Sequence, residues 1–104
     1  MTNAYLLPEK CETMSEVREG VDATDRELMD LLDRRFGYMR AAARIKPERS
    51  AVRDEERKSQ VIANAQKDAA RRGLPSREIA EIWNQLVEAS IAYELREWDD
   101  RDRS

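Results

Sequence analysis

The chain has 104 residues, of which 39% are charged and 40% hydrophobic, and its formal net charge is −3. This length allows one domain at most, and the slight excess of acids argues against a general role in nucleic-acid binding. With only 3 Gly and 3 Pro among many helix-favouring residues, the composition predicts an all-α protein.

The counts of cysteine and histidine limit the kinds of metal and catalytic site that the chain can form. Cys11 is the one cysteine and there is no histidine. These counts argue against a structural zinc site or any metal centre of that kind, exclude a histidine-based catalytic triad, and fit a reducing, cytoplasmic setting. The start, MTNAYLLPEK, lacks the basic region of a signal peptide and the apolar length of a membrane span. We therefore expect no membrane association.

The first predicted helix is the longest element. After an N-terminal arm over residues 1–12, Thr13 and Glu16 have the spacing of a capping box, and the helix should run over residues 13–46 until Pro47 ends it. At 1.5 Å per residue it would be roughly 50 Å long, too long for so small a chain to cover. A coiled-coil-like seam with alternating spacings of four and three follows it, and its members are Val17, Val21, Thr24, Leu28, Leu31, Arg35, Tyr38, Ala42 and Ile45.

Charge is divided along the same helix. Acids dominate residues 16–33 and bases dominate residues 34–49, an order that suits the helix macrodipole. Two copies laid antiparallel would also match acid to base along their length. We therefore predict an antiparallel homodimer that pairs through helix 1. A solvent-exposed face whose charges suit only the dipole of their own helix would show the same pattern.

Two further helices should follow a polar loop over residues 47–53. Asp54 is a favourable N-cap for the second helix, and Gly73 should end it. Ser76 is predicted to cap the third helix. From Trp98 onwards the sequence WDDRDRS is predicted to be a frayed, exposed end. We place the helical domain at 13–98 and a C-terminal tail at 99–104.

Three basic residues of the first helix are candidates for binding an anion. Arg35 occupies a seam position, and a half-buried guanidinium is costly unless an anion meets it. Lys46 follows 11 residues later on nearly the same face, about 16 Å along the axis, whereas Arg18 lies roughly 25 Å from Arg35 and could join them only from a partner chain. Alternatively, Arg35 reaches the surface and Arg18 pairs with Asp22.

The other helices add polar side chains to a possible pocket. Asp54 and Arg57 share a face of helix 2, and Ser90 and Glu94 interrupt the apolar face of helix 3. The plainer interpretation is a surface pair with an N-cap, a serine that fills space and a glutamate that reaches solvent. Taken together with the bases of helix 1, they suit a small di- or trianionic ligand rather than acyl transfer, metal-dependent hydrolysis or redox chemistry.

In these residues the sequence resembles the all-helical chorismate mutases and the related isochorismate-pyruvate lyases. The resemblance covers roughly residues 13–98. It is carried by Val17-Arg18, Asp22-x-x-Asp25-x-x-Leu28-x-x-Leu31-Leu32, Arg34-Arg35, Ala42-x-x-Ile45-Lys46, Val52-Arg53-Asp54-x-x-Arg57, and Ser90-Ile91-Ala92-Tyr93-Glu94. It implies all-α, three-helix chains that are intertwined into a helical homodimer with two active sites.

The resemblance also implies roles for the bases of the long helix. Arg18 would reach into the partner's site, and Arg35 would bind a substrate carboxylate. Lys46 would donate to the ether oxygen of the breaking bond.

The remaining site residues match the family less completely. Asp54 and Arg57 would lie near the ring hydroxyl and a carboxylate, and Ser90 would bind substrate. Glu94 stands where many members have a glutamine that donates to the ether oxygen; a carboxyl must be protonated to do so, which predicts activity that falls as the pH rises through neutrality. Lys58 replaces a glutamate that helps many mutases to hold the ring hydroxyl.

The expected reaction is the rearrangement of chorismate to prephenate, in aromatic amino-acid biosynthesis, by one pericyclic step that needs no cofactor. Ser90 and the Val52-Arg53-Asp54 segment favour this activity over isochorismate-pyruvate lyase, which forms salicylate. A mutase for an amino-substituted chorismate is a third possibility. A helical dimerisation module without catalysis is the alternative from another class.

Overall fold

The computed structural model describes residues 5–101, and these are all-helical, with three α-helices and no strand. Helix α1 runs over Met14–Ile45, α2 over Glu55–Arg71 and α3 over Ser76–Asp100. The chain divides into two compact units, Met1–Phe36 and Gly37–Ser104. The all-α prediction is confirmed, and none of the described helices combines the length and apolar character needed to cross a bilayer.

In the first unit, local side chains fix the start of α1. The Glu16 backbone N–H donates to Thr13 Oγ1 at 3.1 Å, and Glu16 Oε1 accepts from the Thr13 N–H at 3.0 Å. This is the predicted capping box, in which each side chain satisfies an N–H that the helix leaves free. The arm before it contains a short 3-10 turn, Pro8–Lys10, and Tyr5 donates to Glu27 Oε1 at 2.9 Å. Residues 1–4 of the predicted arm lie outside the described residues.

In the second unit, capping chemistry sets the limits of α2. Asp54 accepts from the Arg57 N–H at 3.0 Å and is the N-cap that the sequence predicts. Gly73 follows the helix with φ +72°, a conformation that favours glycine. The predicted Ser76 cap is wrong by one residue: Pro75 is the N-cap of α3, and no side chain caps it. Proline suits this place because a helix start leaves N–H groups unpaired in any case.

The core of the second unit joins the loop after α1 to α2 and α3. Val52, Val87 and Ile91 are buried, and partly buried Val61, Leu95 and Trp98 pack against them. Helix α3 continues to Asp100, so the prediction of a frayed end from Trp98 is wrong. The indole is apolar enough to hold the last turns of α3 on the core despite the charged residues beside it. Residues 102–104 of the predicted tail lie outside the described residues.

Ion pairs fasten the start of α2 to α3. The two terminal guanidinium nitrogens of Arg53 donate to Glu88, at 2.9 and 3.0 Å, and Lys58 Nζ donates to the same carboxylate at 2.6 Å. The hydrogen bonds from Arg53, followed by that from Lys58, lower the pKa of Glu88 from 4.5 to about 2. Glu88 therefore stays ionised in the folded protein at pH values where the unfolded chain would protonate it.

Removing this carboxylate should reduce stability in a pH-dependent way. We expect Glu88→Gln to be less stable than wild type above about pH 4.5, with the difference lost as the pH falls through about 2, because the folded pKa is the depressed one. Urea unfolding of both proteins, from neutral to acidic pH, measures this difference in the free energy of unfolding. Glu97→Gln is the matched control, since Glu97 lies on the same helix and forms no ion pair among the described residues. A stability difference between wild type and Glu88→Gln that does not change with pH would contradict the lowered pKa of Glu88.

Candidate active site

A partly buried ion pair joins the end of α1 to the C-terminal part of α3. Lys46 Nζ donates to Glu94 Oε2 at 2.7 Å, with the lysine side chain 29% exposed and the glutamate side chain 5% exposed. The residue after Lys46 is Pro47, and Ile45 is the last residue of α1. The ammonium thus belongs to the first residue after α1, and the side chain keeps part of its surface open to solvent.

Periodicity explains why a glutamate is buried there. The buried residues of α3 are Val87, Ser90, Ile91 and Glu94, a spacing of three and four that defines one face of a helix. Glu94 thus stands on the apolar face, where an ionised carboxyl without a partner would be strongly disfavoured. Lys46 supplies that partner. The alternative of a glutamate reaching solvent does not hold, because the residue is 4% exposed.

Ser90 lies one turn before Glu94 on the same face. It is 3% exposed, and its hydroxyl donates to the Leu86 carbonyl at 2.6 Å. Its proton is therefore engaged within α3, and only its lone pairs could receive a donor from a bound molecule. Its predicted role in substrate binding stays a prediction.

Asp54 and Arg57 lie together at the start of α2, in the second unit. Both are exposed, and Asp54 caps the helix as described above. The Arg57 side chain donates to Gln60 Oε1 at 2.7 Å, so its guanidinium is oriented along α2. The N-cap part of the plainer interpretation is confirmed. Binding of substrate by either residue is still a prediction.

Lys58 has its own partner. Its ammonium donates to Glu88, as shown above, and its side chain is 20% exposed. The residue that departs from the mutase pattern is thus tied to α3 by an opposite charge. The sequence did not predict this pair.

The two remaining candidates lie on α1 in the first unit. Arg18 is exposed, and Arg35 is half-buried and makes an interaction of its own. Their binding of substrate carboxylates stays a prediction.

The chemistry available in the second unit is that of an oriented cation. An ammonium has three N–H donors, of which the Glu94 carboxylate takes one, so Lys46 can still donate to an anionic or ether oxygen. Among residues 5–101, no three His, Cys, Asp or Glu side chains cluster as metal ligands would. The arrangement is suited to stabilising negative charge on a bound molecule.

Comparison with known proteins connects this geometry to a family. A family model described as chorismate mutase type II matches residues 17–95, which include both partners of the buried pair. The chain belongs to the type II chorismate mutase family. The match confirms the resemblance drawn from the sequence. Together with the relative described next, it supports the assignment of this chain as an enzyme of the chorismate mutase family.

One similar protein carries the name of a second reaction. The chain is similar to isochorismate pyruvate lyase of Pseudomonas aeruginosa, with 28% identity over 91 residues that span 88% of this chain and 90% of the relative. The type II chorismate mutase family match and this lyase thus agree on the family, while they leave two reactions open for this member.

Two contacts of this region were not foreseen from the sequence. Trp98 Nε1 donates to the Lys46 carbonyl at 3.1 Å, and Glu88 holds Lys58. A tryptophan inside an acidic segment was an available signal for Trp98, because an indole is rarely left wholly in solvent. No pattern in the local sequence links residues 30 positions apart, so no signal was available for the pairing of Glu88 with Lys58.

Proposed function

We propose that this chain catalyses the rearrangement of chorismate to prephenate. The observation that carries the proposal is the Lys46–Glu94 pair, a buried carboxylate that orients an ammonium, in a chain of the type II chorismate mutase family. The reaction is a single pericyclic step, so the protein needs no nucleophile. It has to hold the reactive conformer and stabilise charge that develops on the ether oxygen.

Lys46 is the proposed donor to that oxygen. Its ammonium is fixed by Glu94 before substrate arrives, so little reorganisation accompanies the charge that forms in the transition state. Arg35 of the same chain and Arg18 of the partner subunit are proposed to bind the two carboxylates, for which a guanidinium offers paired N–H groups. Asp54, Arg57 and Ser90 are proposed to complete the contacts with the ring and a carboxylate.

A homodimer is part of the proposal. Seam residues of α1 are exposed in the single chain: Val21 is 52% exposed, Leu28 and Leu31 are each 50% exposed, and Tyr38 is 65% exposed. Apolar side chains in such a row favour burial against another helix. The division of acids and bases along α1 supports an antiparallel second copy as that partner.

Glu94 has two possible roles in the reaction. In the structure it accepts a hydrogen bond from Lys46, which an ionised carboxylate does; if it is protonated in the substrate complex, it becomes a second donor to the ether oxygen. We propose the second role, in which the Glu94 carboxyl and the Lys46 ammonium both donate to the ether oxygen of the bound substrate.

Glu94→Gln tests that role, because an amide donates at every pH. We expect kcat/KM of the variant to depend less on pH than that of wild type, because its amide donor cannot lose a proton. Profiles measured from mildly acidic to mildly alkaline pH provide the comparison. A flat wild-type profile, or a variant that follows the wild-type profile, would rule out the protonated carboxyl.

Isochorismate-pyruvate lyase is the second candidate. The Pseudomonas aeruginosa relative carries that name, and Lys58 stands where many mutases have a glutamate. The Lys46 ammonium would serve either substrate, since both are small dianions with an enol ether.

Product identification tests the proposal. Purified protein is given chorismate and isochorismate separately, and products are identified by NMR. Prephenate formed with the higher kcat/KM supports the mutase. Salicylate plus pyruvate formed with the higher kcat/KM supports the lyase, and turnover of neither substrate would overturn both assignments.

A further inference from the structure

Helix α3 contacts Lys46 at two points, one helical turn apart. Glu94 accepts from the Lys46 ammonium at 2.7 Å, and Trp98, four residues later, donates from Nε1 to the Lys46 backbone carbonyl at 3.1 Å. Residues four apart lie on one face of a helix. A single face of α3 therefore contacts both the side-chain tip and the main chain of this lysine.

The carbonyl that Trp98 contacts is one that α1 leaves without a helical partner. The Lys46 N–H still donates to the Ala42 carbonyl at 2.9 Å, but Pro47 stops the helix, and the last carbonyls of any helix lack intrahelical donors. An indole N–H is only a donor, so it fits this position. The last turn of α1 is thereby fastened at the residue that carries the proposed catalytic ammonium.

Packing holds the indole in place. Trp98 lies against the cluster of Val52, Val87 and Ile91, and a large aromatic side chain in such a setting has few alternative rotamers. The donor is therefore a rigid point on α3. Phenylalanine at this position could keep most of the packing but could not make the hydrogen bond.

We propose that Trp98 is a positioning residue, which fixes the end of α1 so that the Lys46 ammonium stays aimed at the reacting oxygen. This role rests on the proposed function for its catalytic consequence, although the contact itself does not depend on it. Because Lys46 is proposed to act on charge that develops in the transition state, a poorly aimed ammonium should lower kcat and leave KM nearly unchanged.

The test compares Trp98→Phe with Trp83→Phe. Trp83 is the other tryptophan and lies half-buried on the same helix, 15 residues earlier. Losing one ordinary hydrogen bond corresponds to about a 5-fold effect. We expect Trp98→Phe to lower kcat about 5-fold, with KM within about 2-fold of wild type, and Trp83→Phe to change neither as much.

A second variant separates the hydrogen bond from packing. In the Trp83→Phe protein, Trp98 is the remaining tryptophan, and biosynthetic replacement by 3-benzothienylalanine exchanges its N–H for sulfur at nearly the same shape. We expect this protein to show the same loss of kcat as Trp98→Phe. Full kcat in the benzothienyl protein would overturn the proposal, as would an equal loss in Trp83→Phe.

Chemical labelling gives a readout that needs no turnover. An amine-reactive ester should acylate Lys46 about 5-fold faster when the Trp98 hydrogen bond is absent, because the last turn of α1 then opens more often. Peptide mass spectrometry measures this rate, with the exposed Lys67 as internal reference. Unchanged labelling would overturn the positioning role. If wild type turned over neither substrate while labelling rose as expected, only the proposed function would fail.

Discussion

Lys46→Ala should lower kcat/KM for chorismate by about 10²- to 10³-fold, the loss typical of removing one preorganised donor to a developing oxyanion. The expectation follows from the geometry at the end of α1, where Glu94 holds the ammonium at 2.7 Å. Steady-state kinetics of wild type and variant measure it. Lys67→Ala, which removes an exposed lysine from α2, is the matched control and should leave kcat/KM unchanged.

The same substitution has a second effect that must be separated from catalysis. Lys46→Ala leaves the buried Glu94 carboxyl without its partner, which should reduce the free energy of unfolding by about 1–3 kcal/mol. The double variant Lys46→Ala/Glu94→Gln removes both charges and should recover most of that stability while remaining inactive. Turnover by Lys46→Ala near the wild-type rate would contradict the role of Lys46, and so would activity regained by the double variant.

Arg18→Ala should lower kcat/KM by a factor on the order of 100, the cost of losing a charge-assisted contact with a substrate carboxylate. Arg18 is exposed in the single chain, so its removal should change the stability of the fold little. Urea unfolding and steady-state kinetics together separate a loss of activity from a loss of stability. Arg26→Ala, on the same helix and away from the seam, should keep its activity. An active Arg18→Ala protein would contradict the proposed shared site.

Local chemistry made the ends of the helices predictable. The Thr13–Glu16 capping box, the Asp54 cap and the glycine at position 73 each act within a few residues, and the structure confirms all three. The one misplaced cap, at Ser76, differs by a single residue because Pro75 itself suits a helix start.

Contacts distant in sequence were harder to foresee. The apolar face of α3 marked Glu94 as unusual, and the structure brings it to Lys46, 48 residues earlier. The charged neighbours of Trp98 predict a frayed end, whereas packing against Val87 and Ile91 holds its indole on the core. Tertiary burial overrides local composition when one large side chain can reach a core. The catalytic roles of Lys46 and Glu94 stay predictions.

A mixing experiment tests the shared active site most directly. Arg18→Ala and Lys46→Ala proteins, each expected to have little activity alone, are unfolded, combined in equal amounts and refolded together, and chorismate turnover is measured. Random pairing makes half the dimers mixed, and each mixed dimer has one site with both residues intact, so about a quarter of wild-type activity should return. If the mixture stays inactive while separately refolded wild type recovers, Arg18 and Lys46 do not meet across two chains, and the account of a shared site is wrong.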